Sequence, residues 1–166
     1  MQPVSLREHP EPTPSAPTPG RSRNMRAIKR TDTRPEREIR SELHRRGMRF
    51  RKDLRMRVDD GFVRPDIVFT RRRIAVFIDG CFWHSCPLHG GSPSVNTSYW
   101  APKFERTRER DQDANKLLIG AGWQVVRIWE HVPVHAAADA LEHTFDHSGH
   151  NRREGCDSPG SLTVIE

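Results

Sequence analysis

Between Asp79 and His89 the chain sets two thiols, two imidazoles and two large aromatics into eleven consecutive residues, directly after an apolar run of β character. Cys81, Cys86 and His89 give three sulfur or nitrogen donors within one short loop. Thiolate with imidazole is the donor set that zinc takes in tetrahedral sites. The fourth donor has to come from elsewhere, and His131, just past the strand-like run Val125-Val126-Arg127-Ile128-Trp129 and Glu130, is the expected one. Such a site would staple two distant segments together. His84 competes with His89 for a place in it. If Cys81, Cys86, His89 and His131 complete the tetrahedron, His84 is released for acid and base work, which an imidazole suits near neutral pH. The alternative is a packed set of unligated thiols and imidazoles.

A second cluster is carboxylate. Asp66 follows Pro65 at the start of one apolar run and Asp79 ends the next, so antiparallel pairing across a short turn would make them neighbours. Magnesium favours one or two carboxylates with water and phosphate oxygens, and two acids beside a basic groove could hold it. The other reading is that Asp66 only follows a proline and Asp79 only opens an Asp-Gly turn. Phe82, Trp83, Tyr99 and Trp100 lie in or just beyond loops, where no core periodicity accounts for them. Flat rings among basic residues stack on or wedge between bases, or else cover the zinc loop as a small satellite core.

Several elements must position these groups. Thr33-Arg34-Pro35-Glu36 has the form of a capping box, and Ile39 and Leu43 continue an amphipathic helix over about 33–46, closed by Gly47. Met48 and Phe50 suggest a short strand, and Val58-Asp59-Asp60-Gly61 a turn. Residues 66–69 and 74–78 are near-continuous apolar runs separated by Thr70-Arg71-Arg72-Arg73, and they predict a hairpin at the centre of a sheet. A second helix is expected over about 102–119, a buried strand over 123–129 and a closing helix over 135–145. The order α, β, β, β, α, β, α, with strands apolar on both faces, predicts an α/β fold with a mixed central sheet flanked by helices.

Composition bounds the function. Six of the first twenty residues are proline, and the chain turns polar again from about His147. Residues 1–21 and 147–166 are therefore expected to be disordered tails around one domain at 22–146. The 28 Lys and Arg outnumber the 22 Asp and Glu, for a net charge of +6, and only four of the 28 are lysine. Arginine pairs bidentately with phosphate, so a polyanionic partner is expected. No apolar run reaches the ~18 residues of a membrane span and no signal-peptide pattern opens the chain, which predicts a cytoplasmic protein without a membrane partner; association with the nucleoid and a monomeric state are separate expectations. Cys156 stands alone in the polar tail, so the three cysteines form no disulfide framework.

Taken together, Asn24-Met25-Arg26-Ala27-Ile28, Arg64-Pro65-Asp66, Gly80-Cys81-Phe82-Trp83-His84, Tyr99-Trp100, Arg110-Asp111, Gly122-Trp123 and Trp129-Glu130 resemble the very short patch repair (Vsr) DNA mismatch endonucleases. The resemblance runs in order over about residues 22–133. It implies a restriction-endonuclease-like fold of the PD-(D/E)XK type carrying a structural Zn²⁺. It also implies a Mg²⁺-dependent nick of one strand, 5′ of the mispaired T in T:G mismatches left by 5-methylcytosine deamination. The partners implied are mismatched double-stranded DNA and, functionally, a cytosine-5 DNA methyltransferase and mismatch-repair proteins. Carried over by residue, Asp66 falls at the magnesium-binding aspartate, His84 at the catalytic histidine and Glu36 at an acidic residue of the active site, with Asp111 supporting them. Cys81, Cys86 and His131 fall at zinc ligands, and His89 supplies the fourth. Phe82 and Trp83 correspond to aromatics that wedge into the duplex from the major groove with Trp100 assisting, Met25 to a residue approaching from the minor groove, and Lys103 to a reader of the mismatched bases. Ile78 and Asp79 stand where the best-known member has Thr and His, which leaves Asp79 as a second magnesium carboxylate. Thr107 stands in place of the usual Asn. That substitution keeps open a nuclease of the same fold with another lesion or sequence preference, and a zinc-stabilised DNA-binding module without catalysis is the remaining alternative.

Overall fold

The computed structural model describes residues 31–90, 97–148 and 160–166. Helix α1 spans Arg34–Arg45 and follows from its sequence. Pro35 sits in the first turn, where its missing N–H is no loss. Glu36 reaches back to accept from the Asp32 N–H and the Thr33 hydroxyl, each at 2.8 Å. The helix ends in paired bonds, Gly47 N–H to the His44 carbonyl and Met48 N–H to the Leu43 carbonyl, both 3.0 Å. This is the Schellman arrangement, and its apolar partners Met48 and Leu43 both enter the core.

Five strands form the main sheet in the order β1-β4-β5-β6-β7, where β1 is Arg51–Lys52, β4 Ile67–Phe69, β5 Ile74–Asp79, β6 Gln124–Trp129 and β7 Leu162–Ile165. Pairing is antiparallel from β1 through β4 to β5 and parallel from β5 through β6 to β7, so the sheet is mixed. The expected central hairpin is present with Ile67 opposite Val76. A separate small hairpin, β2 Met56–Val58 with β3 Gly61–Val63, turns at Asp59-Asp60. The two parallel connections carry α2, Thr97–Gly120, between β5 and β6, and α3, Val134–His147, between β6 and β7.

Alternation along the strands divides the core in two. Ile74, Val76, Val126 and Ile128 face α1 and α3, meeting Ile39, Leu43, Ala137, Ala138 and Leu141. Ala75 and Val125 face the other way, onto Leu118 of α2 and Val58 and Val63 of the small hairpin. Fully buried side chains such as Leu43 and Ile74 each contribute about 1.5–3 kcal/mol. Asp79 and Arg127 continue the second face, so the sheet carries them toward α2.

Two expectations are corrected. The second helix begins by Thr97 rather than near 102, with Pro102 inside it. The polar composition after His147 suggested a tail to the end of the chain, yet Leu162–Ile165 are a strand paired with β6. Leu-Thr-Val-Ile is rich in β-branched residues and suits an edge strand, a local signal that the average over twenty residues hid. Gly160 allows the approach, since a Cβ there would lie 2.4 Å from the Trp123 carbonyl oxygen. Among the described residues no helix is long and apolar enough to cross a membrane.

Candidate functional site

The loop after β5 turns back on itself at once. The N–H groups of Trp83 and His84 both reach the Gly80 carbonyl at 3.1 Å, and Cys86 N–H reaches Cys81 at 3.0 Å. Ser85 holds a left-handed φ of 55° between His84 and Cys86, and that reversal separates the two side chains. Gly90 closes the loop with a 2.6 Å bond to the Cys86 carbonyl. A Cβ at Gly90 would lie 2.4 Å from that oxygen, so glycine is required.

One outcome of the reversal is a four-donor cluster. Ligand atoms of Cys81, Cys86, His89 and His131 lie within 4.8 Å of one another. The His131 Nδ1 is 3.1 Å from Cys81 Sγ and 3.6 Å from Cys86 Sγ, and His89 Nδ1 is 4.0 and 3.8 Å from the same sulfurs. A tetrahedral zinc with ordinary bond lengths separates sulfur from nitrogen by about 3.6 Å, so the donors stand where such an ion needs them. The protein alone pushes the Cys81 thiol up to about 11, by burial first and by Cys86 second. Only a cation would make the thiolate comfortable there. The Glu130 carboxylate ties the loop to the end of β6 by accepting from Cys81 N–H at 2.7 Å.

The other outcome is that His84 lies outside this cluster and turns to α2. Its Nδ1 is 2.5 Å from Asp111 Oδ2 and 3.5 Å from Asp79 Oδ1. Burial alone would raise the Asp111 carboxyl, but the His84 hydrogen bond and the Arg127 charge outweigh it and hold Asp111 below the usual carboxylate range. An ionised carboxylate can only accept, so Nδ1 donates to Asp111 and Nε2 is the nitrogen left outside that bond.

Asp66 accepts the Ile78 N–H at 2.7 Å. Burial pushes its carboxyl up to about 7 against that bond, with the charges of Glu36, Asp79 and Asp53 adding to the rise. A half-buried carboxyl among other acids is the donor chemistry of a divalent-cation site. Asp79 departs from the expectation of a free magnesium carboxylate. Arg127 Nε and Nη2 hold both its oxygens, at 2.6 and 2.8 Å. Glu36 is buried, and its oxygens are taken by Thr33, Asp32 and, at 3.4 Å, Arg40. It reaches Asp66 through its charge.

Beside the loop, Phe82 packs edge-on against Trp83, Trp100 and Phe104 with centroids 5.2–5.5 Å apart, and it remains 39% exposed. Lys103 places Nζ 4.1 Å over the Tyr99 ring and donates to its hydroxyl at 2.6 Å. The Thr107 hydroxyl donates to the Lys103 carbonyl at 3.0 Å, so its proton is spent on its own helix. Met25 and Cys156 fall outside the described residues.

The sequence of the family described as "DNA mismatch endonuclease Vsr" matches residues 17–88. "Type II nicking enzyme V.NaeI" of Lentzea aerocolonigenes is 51% identical over 146 residues, covering 87% of this chain and 88% of that protein. The chain belongs to the Vsr endonuclease family. "Type II nicking enzyme V.XorIIP" of Xanthomonas oryzae is 42% identical over 111 residues, 64% of this chain and 76% of the relative. "DNA mismatch endonuclease Vsr" of Escherichia coli K12 is 38% identical over 114 residues, 66% and 69% of the two chains. This Vsr-family protein is therefore a DNA endonuclease, which removes the non-catalytic module from consideration. Sequence reasoning missed three members of its site: Arg127, the Asn115 that accepts from Arg127 Nη1 at 3.0 Å, and Glu130 as a loop anchor. The signal for Arg127 was present, an arginine in the middle of an otherwise apolar strand.

Proposed function

We propose that this protein nicks one strand of double-stranded DNA 5′ of the mispaired T in T:G mismatches, using His84 as the proton acceptor and Asp66 to hold Mg²⁺. The observation that carries the reading is His84, turned away from the Cys/His cluster, bonded through Nδ1 to Asp111 and sharing the neighbourhood of Asp79 with Asp66. A divalent cation on Asp66 would neutralise charge on the phosphate under attack. Nε2 of His84 takes the proton of the attacking water, and Asp111 stabilises the imidazolium that forms. Glu36 adds negative charge that favours the cation.

Zn²⁺ on Cys81, Cys86, His89 and His131 has a structural role in this reading, with all four positions filled by protein. It fixes the loop that bears both His84 and the aromatics. Phe82, Trp83 and Trp100 enter the duplex beside the lesion, with Met25 approaching from the other groove and Lys103 near the mispair. A T:G wobble costs less to unstack than a paired neighbour and displays altered donors and acceptors, which favours it over T:A. Deamination of 5-methylcytosine generates that mispair, linking the protein's work to a cytosine-5 DNA methyltransferase and mismatch-repair partners. The fold is of the restriction-endonuclease type, and the protein acts as a monomer.

Thr107 favours one second reading, because its committed hydroxyl offers the mispair less than a free amide would. That reading is the same nick with another lesion or sequence preference. Labelled duplexes with one T:G pair, the T:A control and a single strand, each incubated with Mg²⁺, test both. The expected product is a nick 5′ of the mispaired T, lost in Asp66→Ala and His84→Ala. Equal cutting of T:A would support the second reading.

A further inference from the structure

We propose that Arg127 is a positioning residue for the nick, clamping Asp111 and helix α2 so that the imidazole of His84 is held in one orientation. The inference rests on the reading of His84 given above. Arg127 is buried and lies at the centre of β6, where the register pairs it with Phe77 of β5. Its guanidinium sits 5.0 Å from the Phe77 ring, which keeps the group on the α2 side of the sheet. Asp79 is the anchor, fixing the plane of the fork through Nε at 2.6 Å and Nη2 at 2.8 Å. The remaining donors reach across to α2, Nη2 to Asp111 Oδ1 at 3.1 Å and Nη1 to Asn115 Oδ1 at 3.0 Å.

Asp111 and Asn115 are one helical turn apart, so one guanidinium grips α2 at two successive points of the same face. Asp111 in turn spends its other oxygen, Oδ2, on His84 Nδ1 at 2.5 Å. The carboxylate is thus held at both ends and cannot rotate. Without Arg127 it keeps, among the described residues, only the histidine, and His84 Nδ1 has a second acid, Asp79 Oδ1, only 3.5 Å away. Either change swings Nε2 off the line of the attacking water. A lysine offers a point charge in place of a planar fork and cannot make all four contacts.

Arg127→Met, Arg127→Lys, Asp79→Leu/Arg127→Met and Asp111→Asn with and without Arg127→Met separate this role from a purely structural one. The readouts are single-turnover nicking at saturating Mg²⁺ and duplex, duplex affinity, and bound zinc per chain. For Arg127→Met we expect nicking about 100-fold slower, since a displacement near 1 Å costs that much, with affinity within about threefold and zinc retained. Arg127→Lys should recover less than a tenth of the lost rate. The Asp79→Leu/Arg127→Met pair leaves no unpaired buried charge, so it folds even if Arg127→Met does not, and it should remain slow. Adding Arg127→Met to Asp111→Asn should slow the reaction by no more than about threefold. Wild-type rate in the Asp79→Leu/Arg127→Met pair would overturn the proposal, because Arg127 would then only neutralise Asp79. A further ~100-fold loss on top of Asp111→Asn would overturn it too. Should wild-type protein leave T:G duplex intact yet cut another, the substrate reading fails, and the same variants are scored on the duplex it cuts.

Discussion

Asp66 carries an electrostatic conflict that gives the site its own pH signature. Burial first, then the charges of Glu36, Asp79 and Asp53, lift its carboxyl to about 7, whereas in the unfolded chain it titrates near 4. Between those values the native state binds more protons than the unfolded one, so stability contributed by this group falls as pH rises through that window. Urea denaturation at pH 5 and pH 7.5 should show wild-type protein losing on the order of 3 kcal/mol relative to Asp66→Asn across that interval. Saturating Mg²⁺ should reverse the loss, and parallel curves for the two proteins would refute the assignment. Asp66 and His84 were legible in the sequence because each is a polar residue at the edge of an apolar or aromatic run. Arg127 was visible only as a charge inside an apolar strand, since nothing in one dimension says that β6 turns it toward Asp111. Phe82 gives a second test at this scale. At 39% exposure its truncation to Ala should cost little in Tm, while T:G nicking under kcat/KM conditions falls about 10- to 100-fold, the worth of one stacked ring.

The loop from Cys81 to Gly90 behaves as one element because its two ends meet in one Cys/His cluster that could hold a cation. Its donors were readable from spacing alone, including the far one on His131, since thiolates and imidazoles this dense have few other uses. What spacing left open was which histidine joins, and the left-handed turn at Ser85 decides that by parting His84 from Cys86. Cys86→Ser or prolonged chelation should therefore unfold the loop, a closed zinc site being worth on the order of 10 kcal/mol of folding energy. The expected result is loss of about one zinc per chain, a red shift of tryptophan emission as Trp83 and Trp100 separate, and no nicking. Retained zinc in Cys86→Ser would exclude that residue as a ligand. Helix α2 shows the limit of local rules. Pro102 suggested a helix start, yet the helix already contains Tyr99 and Trp100, because packing of Trp100 on Phe82 and Phe104 outweighs the missing N–H of a proline five residues in.

At the scale of the whole molecule, the sheet is assembled from segments far apart in sequence, and its last member was the least visible. Central strands announce themselves as apolar runs because both faces are covered. Strand β7 has three exposed residues of four and lies beyond a polar stretch, so its composition resembled a tail. Its contribution is at the edge of β6, where Ser161 accepts the Val125 N–H at 2.7 Å and Ile165 packs on the larger core. Removing residues 160–166 deletes one strand and the partial burial of Ile165, which argues for a loss of about 1–2 kcal/mol and no change at His84 or Asp66. It also bares the outer backbone of β6, whose own Val126 and Ile128 are fully buried, and an open apolar edge pairs with other chains. The truncated protein should melt several degrees lower, nick at near wild-type rate when fresh and dilute, and form larger species on size-exclusion chromatography as concentration rises. Unchanged melting and a monodisperse profile would mean that β7 adds nothing to the sheet, and a lost nick in protein still folded and monomeric would mean that the strand reaches the active site.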